Sequence, residues 1–180
     1  MPFRIVLTGA PAAAKTEFIE RLKSYPPFAG FIFFSELARQ LLEEHPEYRN
    51  NPRLWHREIY QKQVAREQAA REKSFITDRG TVDAFAFHPH TIEDVKTTLE
   101  KEYRRYDAVI QLGTTAALGK AYYIGDDIRK ESITDALIIE EKLKQVWQKH
   151  PHYYFIKAET DLDIKFNKFV SCLLNIINIY

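Results

Sequence analysis

The chain has 180 residues, 45% of them hydrophobic, which is enough for one domain with a core of its own. Its 26 basic and 25 acidic residues leave a net charge of +1 and form no blocks, so there is no bulk electrostatic case for nucleic acid or a membrane surface. The single cysteine, Cys172, excludes an internal disulfide and suits a reducing, cytoplasmic setting. The apolar run after Arg4 is too short for a signal peptide, and no stretch reaches the ~18 apolar residues of a membrane span.

Arg4-Ile5-Val6-Leu7-Thr8 reads as a buried strand, and Glu17 to Lys23 has helical spacing. Between them lies Gly9-Ala10-Pro11-Ala12-Ala13-Ala14-Lys15-Thr16. Strand, small-residue loop, Lys-Thr and helix make the context of a phosphate-binding P-loop, G-x-x-x-x-G-K-[ST]. Gly9, Lys15 and Thr16 match; Ala14 stands where the second glycine is expected. Loop amides and the helix dipole would face the phosphates, Lys15 would reach the β- and γ-phosphates, and the Thr16 hydroxyl would ligate Mg²⁺. If position 14 needs a left-handed backbone, alanine costs about 1–2 kcal/mol there. Taken as lost affinity, that is roughly ten- to thirty-fold. The alternative is a plain alanine-rich turn.

Tyr25 to Gly30 is a loop by its breakers, and Phe31-Ile32-Phe33-Phe34 is a strand apolar enough to be covered on both faces. Ser35 opens a helix to about Glu44, ended by His45-Pro46. Asn51-Pro52 starts the next, whose apolar face (Leu54, Trp55, Ile59, Val64, Ala65) runs to about Arg71. Ser74 to Thr77 is a third strand, followed by Asp78-Arg79-Gly80 and a short helix from Thr81 to Phe87. Thr91-Ile92-Glu93-Asp94 resembles a capping box opening a helix to about Tyr103. Asp107 to Leu112 is a fourth strand. The irregular stretch from Gly113 to Lys130 belongs to a lid segment at about 113–133. Thr134 to Lys149 is helical with Leu137, Ile138, Leu143, Val146 and Trp147 inward; Tyr153 to Lys157 is a fifth strand; Thr160 caps a last helix from Leu162 to about Ile177. The apolar tail reads as a buried closing helix, or alternatively as a subunit contact in a homo-oligomer.

This alternation predicts a single α/β domain over 1–180: a doubly wound, five-stranded, mostly parallel sheet with helices on both faces. Ligands of such sheets lie beyond the carboxyl ends of the strands, which gathers Gly9–Thr16, Ser35-Glu36 and Asp78-Arg79-Gly80. Asp78 is a candidate for Mg²⁺ coordination or for general base toward an acceptor hydroxyl, with a helix N-cap as the bland alternative. Arg79 is a phosphate or substrate contact, or a surface ion pair. Glu36 could bind a substrate hydroxyl or a Mg²⁺ water, or simply favour the helix dipole. Arg39, one turn on, is its candidate partner or a substrate contact, and Asp83 is local structure after the turn. Arg129, with Lys130 beside it, is a candidate lid cation for charge developing in phosphoryl transfer, or a solvated loop charge. His88-Pro89-His90 lacks a third ligand and reads as packing or surface histidines.

Taken in order, these segments resemble the P-loop ATPase and kinase group related to nicotinamide riboside kinase, also described as AAA-like. The carriers are Thr8-Gly9-Ala10-Pro11 with Lys15-Thr16, Glu36-Leu37-Ala38-Arg39 after a strand, Asp78-Arg79-Gly80-Thr81-Val82-Asp83 in the Walker B position, and Asp127-Ile128-Arg129-Lys130 before a helix. The resemblance implies ATP and Mg²⁺ as cofactors and a small-molecule acceptor as partner. It also implies kinase or ATPase activity, against a non-catalytic nucleotide-binding protein on account of Ala14.

Overall fold

The computed structural model describes residues 2–123 and 132–178. Its strands are β1 (Arg4–Thr8), β2 (Ile32–Phe34), β3 (Phe75–Asp78), β4 (Ala108–Leu112) and β5 (Tyr153–Ile156). The helices are α1 (Lys15–Leu22), α2 (Leu37–Glu44), α3 (Pro52–Ala69), α4 (Asp83–Phe87), α5 (Thr91–Asp94), α6 (Leu99–Tyr103), α7 (Ile133–Trp147) and α8 (Leu162–Asn178). The strands form one sheet in the order β2-β3-β1-β4-β5, and every neighbouring pair is parallel. Parallel neighbours require crossovers over the faces, which the helices supply. The chain moves to one side of β1 for β2 and β3, then to the other for β4 and β5. Loops leaving β1, β3 and β4 therefore meet at one edge of the sheet.

The side-chain period of two along β1 builds two cores. Ile5 and Leu7 pack with Phe18, Leu22, Phe166, Phe169 and Leu173 from α1 and α8. Val6 points the other way, into Phe75, Val82, Phe85, Tyr106 and Trp147. The Phe18 ring meets Phe166 edge-on at 5.1 Å and stacks on Phe169 at 5.4 Å, so α1 is locked to α8 as well as to the sheet. Each such fully buried side chain contributes about 1.5–3 kcal/mol. Among the described residues no helix is long and apolar enough to cross a membrane.

Several local expectations are corrected. The helix after β2 begins at Leu37 rather than Ser35, leaving Glu36 extended at the N-cap with φ −64° and ψ 121°. The helix expected from Thr91 to Tyr103 is two short ones. Lys96 takes a left-handed φ of 52°, and Thr98, itself extended, restarts the helix by accepting the Lys101 amide at 3.3 Å. Thr91 caps nothing; it is buried, and its hydroxyl pairs with His88 Nδ1 at 3.3 Å. Ser132 and Asp135 form the capping box of α7, whose buried row is Ala136, Leu143 and Trp147. Leu137 and Ile138 fall off that row and are 38% and 48% exposed. Asp161, rather than Thr160, caps α8, accepting the amides of Asp163 and Ile164.

Candidate functional site

The loop between β1 and α1 is shaped by its backbone bonds. A Cβ on Gly9 would lie 2.6 Å from the Leu112 carbonyl oxygen and 2.9 Å from the Ala13 methyl, so only glycine fits there. Ala12 and Ala14 are left-handed, with φ of 60° and 68°. Every carbonyl from Gly9 to Ala14 is engaged. Gly9 O accepts from Lys15 Nζ at 3.1 Å, Ala10 O from the Ala13 amide at 3.2 Å, and Pro11 O from the Thr114 hydroxyl at 2.6 Å. Ala12 O takes the Thr115 amide at 3.3 Å, Ala13 O the Lys165 ammonium at 3.0 Å, and Ala14 O the Phe18 amide at 3.0 Å. The amides of Ala12 and Ala14, by contrast, have no hydrogen-bond partner among the described residues. Those of Lys15 and Thr16 open α1 and so lack an intrahelical acceptor. Left-handed Ala12 and Ala14 with unpaired N–H groups at a helix start give the loop the backbone form of a nest, a shape able to receive an anion.

Lys15 is buried against this loop. Burial lowers its pKa, opposed by the charge of Asp78, while Arg79 adds to the lowering. Asp78 ends β3 at 3% exposure, and its Oδ1 has no hydrogen-bond partner. Burial raises its pKa, against the pull of Lys15. Beside it Arg79, in a left-handed turn with φ 69°, donates from Nε to Glu36 at 2.9 Å and lies 4.8 Å from the Phe87 ring centre. The Thr77 hydroxyl fixes that turn by donating to the Arg79 carbonyl at 2.8 Å. Burial alone would raise Glu36; the charges of Arg79, Lys15 and Arg39 outweigh it and hold the carboxyl down to about 2. Asp83 is fully engaged, accepting from the Thr8 hydroxyl, the Gly80 amide at 2.9 Å and Trp147 Nε1 at 3.1 Å.

Beyond these charges opens a cavity of about 370 Å³. Glu36, Asp78, Arg79 and Asp83 supply its charged lining, Pro11 of the loop borders it, and Trp55, His56 and Phe87 supply its aromatic walls. Gln63 also lines it, but both its amide protons are used, on Glu67 at 2.6 Å and Thr77 at 3.0 Å. Glu67 in turn accepts from the Tyr106 hydroxyl at 2.7 Å and Arg105 at 2.8 Å, so this wall is rigidly braced.

The structure thus brings Lys15, Asp78, Glu36 and Arg79 together at the loop. Thr16 is exposed in the first turn of α1. Asp78 is no helix cap, since Val82 is the N-cap residue of α4. Asp83 is more than local structure after the turn: it lines the cavity and ties that turn to Thr8 of β1 and Trp147 of α7. Arg39 is exposed and acts on Glu36 only through its charge; the hydrogen-bonded partner is Arg79. Arg129 and Lys130 lie outside the described residues, as does the middle of the lid segment. Among the described residues no cluster of three or more His, Cys, Asp or Glu side chains could hold a metal, His88 and His90 included. The cavity wall is not among the residues expected from the sequence to form the site. Trp55, Ile59 and Gln63, each four residues apart, form one helical row facing it, a spacing that could have revealed it.

A parallel sheet with a nest between β1 and α1 and a buried aspartate closing the adjacent strand defines a P-loop NTPase fold of the kinase-like kind. A family model described as an AAA domain matches residues 4–164, and the chain belongs to that family. Among solved structures it is similar to deoxyadenosine kinase from M. mycoides with bound dATP, at 12% identity and a TM-score of 0.63, covering 95% of this chain and 99% of that one. No curated protein sequence matches.

Proposed function

We propose that the chain is a P-loop phosphotransferase that moves the γ-phosphate of Mg-ATP to a hydroxyl of a small acceptor bound in the cavity. The observation that carries this is the loop from Gly9 to Thr16, with its carbonyls tied back and the amides of Ala12 and Ala14 unpaired, next to an acceptor-sized cavity. A hydrolase needs room only for water; a chamber walled by Trp55, His56 and Phe87 suits a flat ring. The similar fold of a deoxyadenosine kinase, and the resemblance to the nicotinamide riboside kinase group, make nucleosides and ribosides the acceptors to try first.

Thr16 and Asp78, the latter with its unpartnered Oδ1, fit the Mg²⁺ that accompanies ATP, whose charge would offset that of the phosphates. Lys15 and the loop amides would hold the triphosphate. In the transfer the acceptor oxygen bonds to the γ-phosphorus, the bond to the bridging oxygen breaks, and ADP leaves. The hydroxyl proton passes to a carboxylate. Glu36, held down to about 2, is a weak proton acceptor and suits orienting the hydroxyl; Asp78, raised by burial, would serve as the base by reaching the metal only through a bound water, which leaves its carboxylate free for the proton. Arg129 is the candidate to close over the γ-phosphate.

The test is a thermal titration with Mg-ATP and Mg-GTP, followed by labelled-phosphate transfer to adenosine, deoxyadenosine and nicotinamide riboside. At a hundred times its dissociation constant a nucleotide stabilises by about 2.7 kcal/mol, or about 5–10 °C for a domain of this size. No shift with either nucleotide would refute nucleotide binding. A shift without transfer or phosphate release would assign the chain to the non-catalytic reading that Ala14 favours.

A further inference from the structure

We propose that Lys165 is a positioning residue of the phosphate loop, holding it from beneath in the shape that receives phosphate. This rests on reading Gly9–Thr16 as a phosphate site. Lys165 belongs to α8, is 1% exposed, and its Nζ donates to Ala13 O at 3.0 Å and to Gly113 O at 2.6 Å. It thereby ties the loop after β1 to the end of β4, with a residue 152 positions away from Ala13. A buried ammonium near a helix N-terminus is a costly choice where Leu or Met would fill the same space. The loop it supports has no glycine between Ala10 and Ala14 and two left-handed alanines, so its shape has to be imposed by neighbours.

The surroundings fit a positioning role. Thr114, next to Gly113, holds the Pro11 carbonyl with its hydroxyl, and its amide donates to Glu140 Oε2 at 2.5 Å. Burial pushes Lys165 down to about 8; the Glu140 carboxylate opposes this and the Lys15 charge adds to it. Lys15 and Lys165 therefore repel each other across the loop, and an anion in the nest relieves that repulsion. Removing Lys165 leaves two carbonyls without their donor and lets Ala13 O turn toward the ligand.

The test measures the affinity of tripolyphosphate, a probe with no base or sugar, for the wild type and Lys165→Met by calorimetry at a temperature where both are folded. The loss of a charge-assisted clamp predicts about tenfold weaker binding or more in the variant. A second reading needs no variant: on wild-type protein carrying ¹⁵N-lysine, saturating tripolyphosphate should move the Lys165 ¹⁵Nζ resonance and slow its proton exchange. An unchanged resonance in the saturated wild type overturns the proposal, as does equal affinity of the two proteins. Absence of tripolyphosphate binding to the wild type would remove the phosphate site itself and this inference with it; binding by the wild type with an indifferent Lys165 removes the inference alone.

Discussion

Replacing Ala14 by glycine separates two consequences of the missing glycine. Ala14 takes φ 68° and ψ 23°, and the bonds that tie the loop carbonyls to Thr114, Thr115 and Lys165 would hold this left-handed shape independently of nucleotide, making its strain a cost of folding rather than of binding. Alanine in that region costs about 1–2 kcal/mol. Glycine removes this cost but orders a more flexible unfolded chain, which returns about 0.5–1 kcal/mol. The net gain is about 0.5–1 kcal/mol, or about 1–4 °C in thermal midpoint for a domain of this length. Mg-ATP affinity should change by less than about threefold, since both partners of the equilibrium carry the same backbone. A roughly ten- to thirty-fold difference is instead the outcome expected if the left-handed strain is incurred on binding. Ala13→Gly is the control: Ala13 is 1% exposed and packs in the α1–α8 core, so glycine there should lower the midpoint. The assays are scanning calorimetry and nucleotide titration on the same preparations. A tenfold rise in affinity for Ala14→Gly would show that the loop is not preformed and refute the reasoning, and so would a lowered midpoint.

The Glu36 carboxyl sits near 2 in the folded chain against an ordinary value of 4.5, a depressed acid whose stabilisation is complete above its unfolded value and is lost as pH falls from about 4.5 to about 2. Glu36→Gln should therefore cost about 2–3 kcal/mol at pH 7 and converge with the wild type near pH 2; urea unfolding at both values checks it, and a pH-independent difference would contradict it. Asp83→Asn removes the charge that Thr8, Gly80, Arg79 and Trp147 address, and should destabilise by about 3 kcal/mol while a loss under about 0.5 kcal/mol would deny its role as an anchor.

The fold was legible because short strands dominated by apolar, β-branched and aromatic residues alternate with helix-length segments, and because the loop and Glu36 follow strands and Asp78 ends one. Pairings across the sheet edge were not. Arg39 lies one helical turn from Glu36 in sequence, yet the guanidinium that reaches Glu36 is that of Arg79, turned by a left-handed backbone that no local signal announces. Lys96 splits a helix for the same reason. On α7 the apolar residues outnumber one face, so periodicity alone could not rank Ala136 above Leu137 and Ile138. Lys165 looked like any polar position of an amphipathic helix; only the fold brings its Nζ to Ala13 and Gly113. Asp83 was read as local structure after the turn, and its bond to the Gly80 amide is local, but its reach to Thr8 and Trp147 joins three separate elements that the sequence does not bring together.

The unpaired amides of the loop are what would make Gly9–Thr16 a phosphate site. A Mg-ATP titration of ¹⁵N-labelled protein reads them directly. Resonances of Ala12, Ala14, Lys15 and Thr16 should shift together and saturate with one dissociation constant, as N–H groups that acquire phosphate oxygens. Saturating nucleotide that leaves these four resonances in place would contradict the claim that Gly9–Thr16 is a phosphate site.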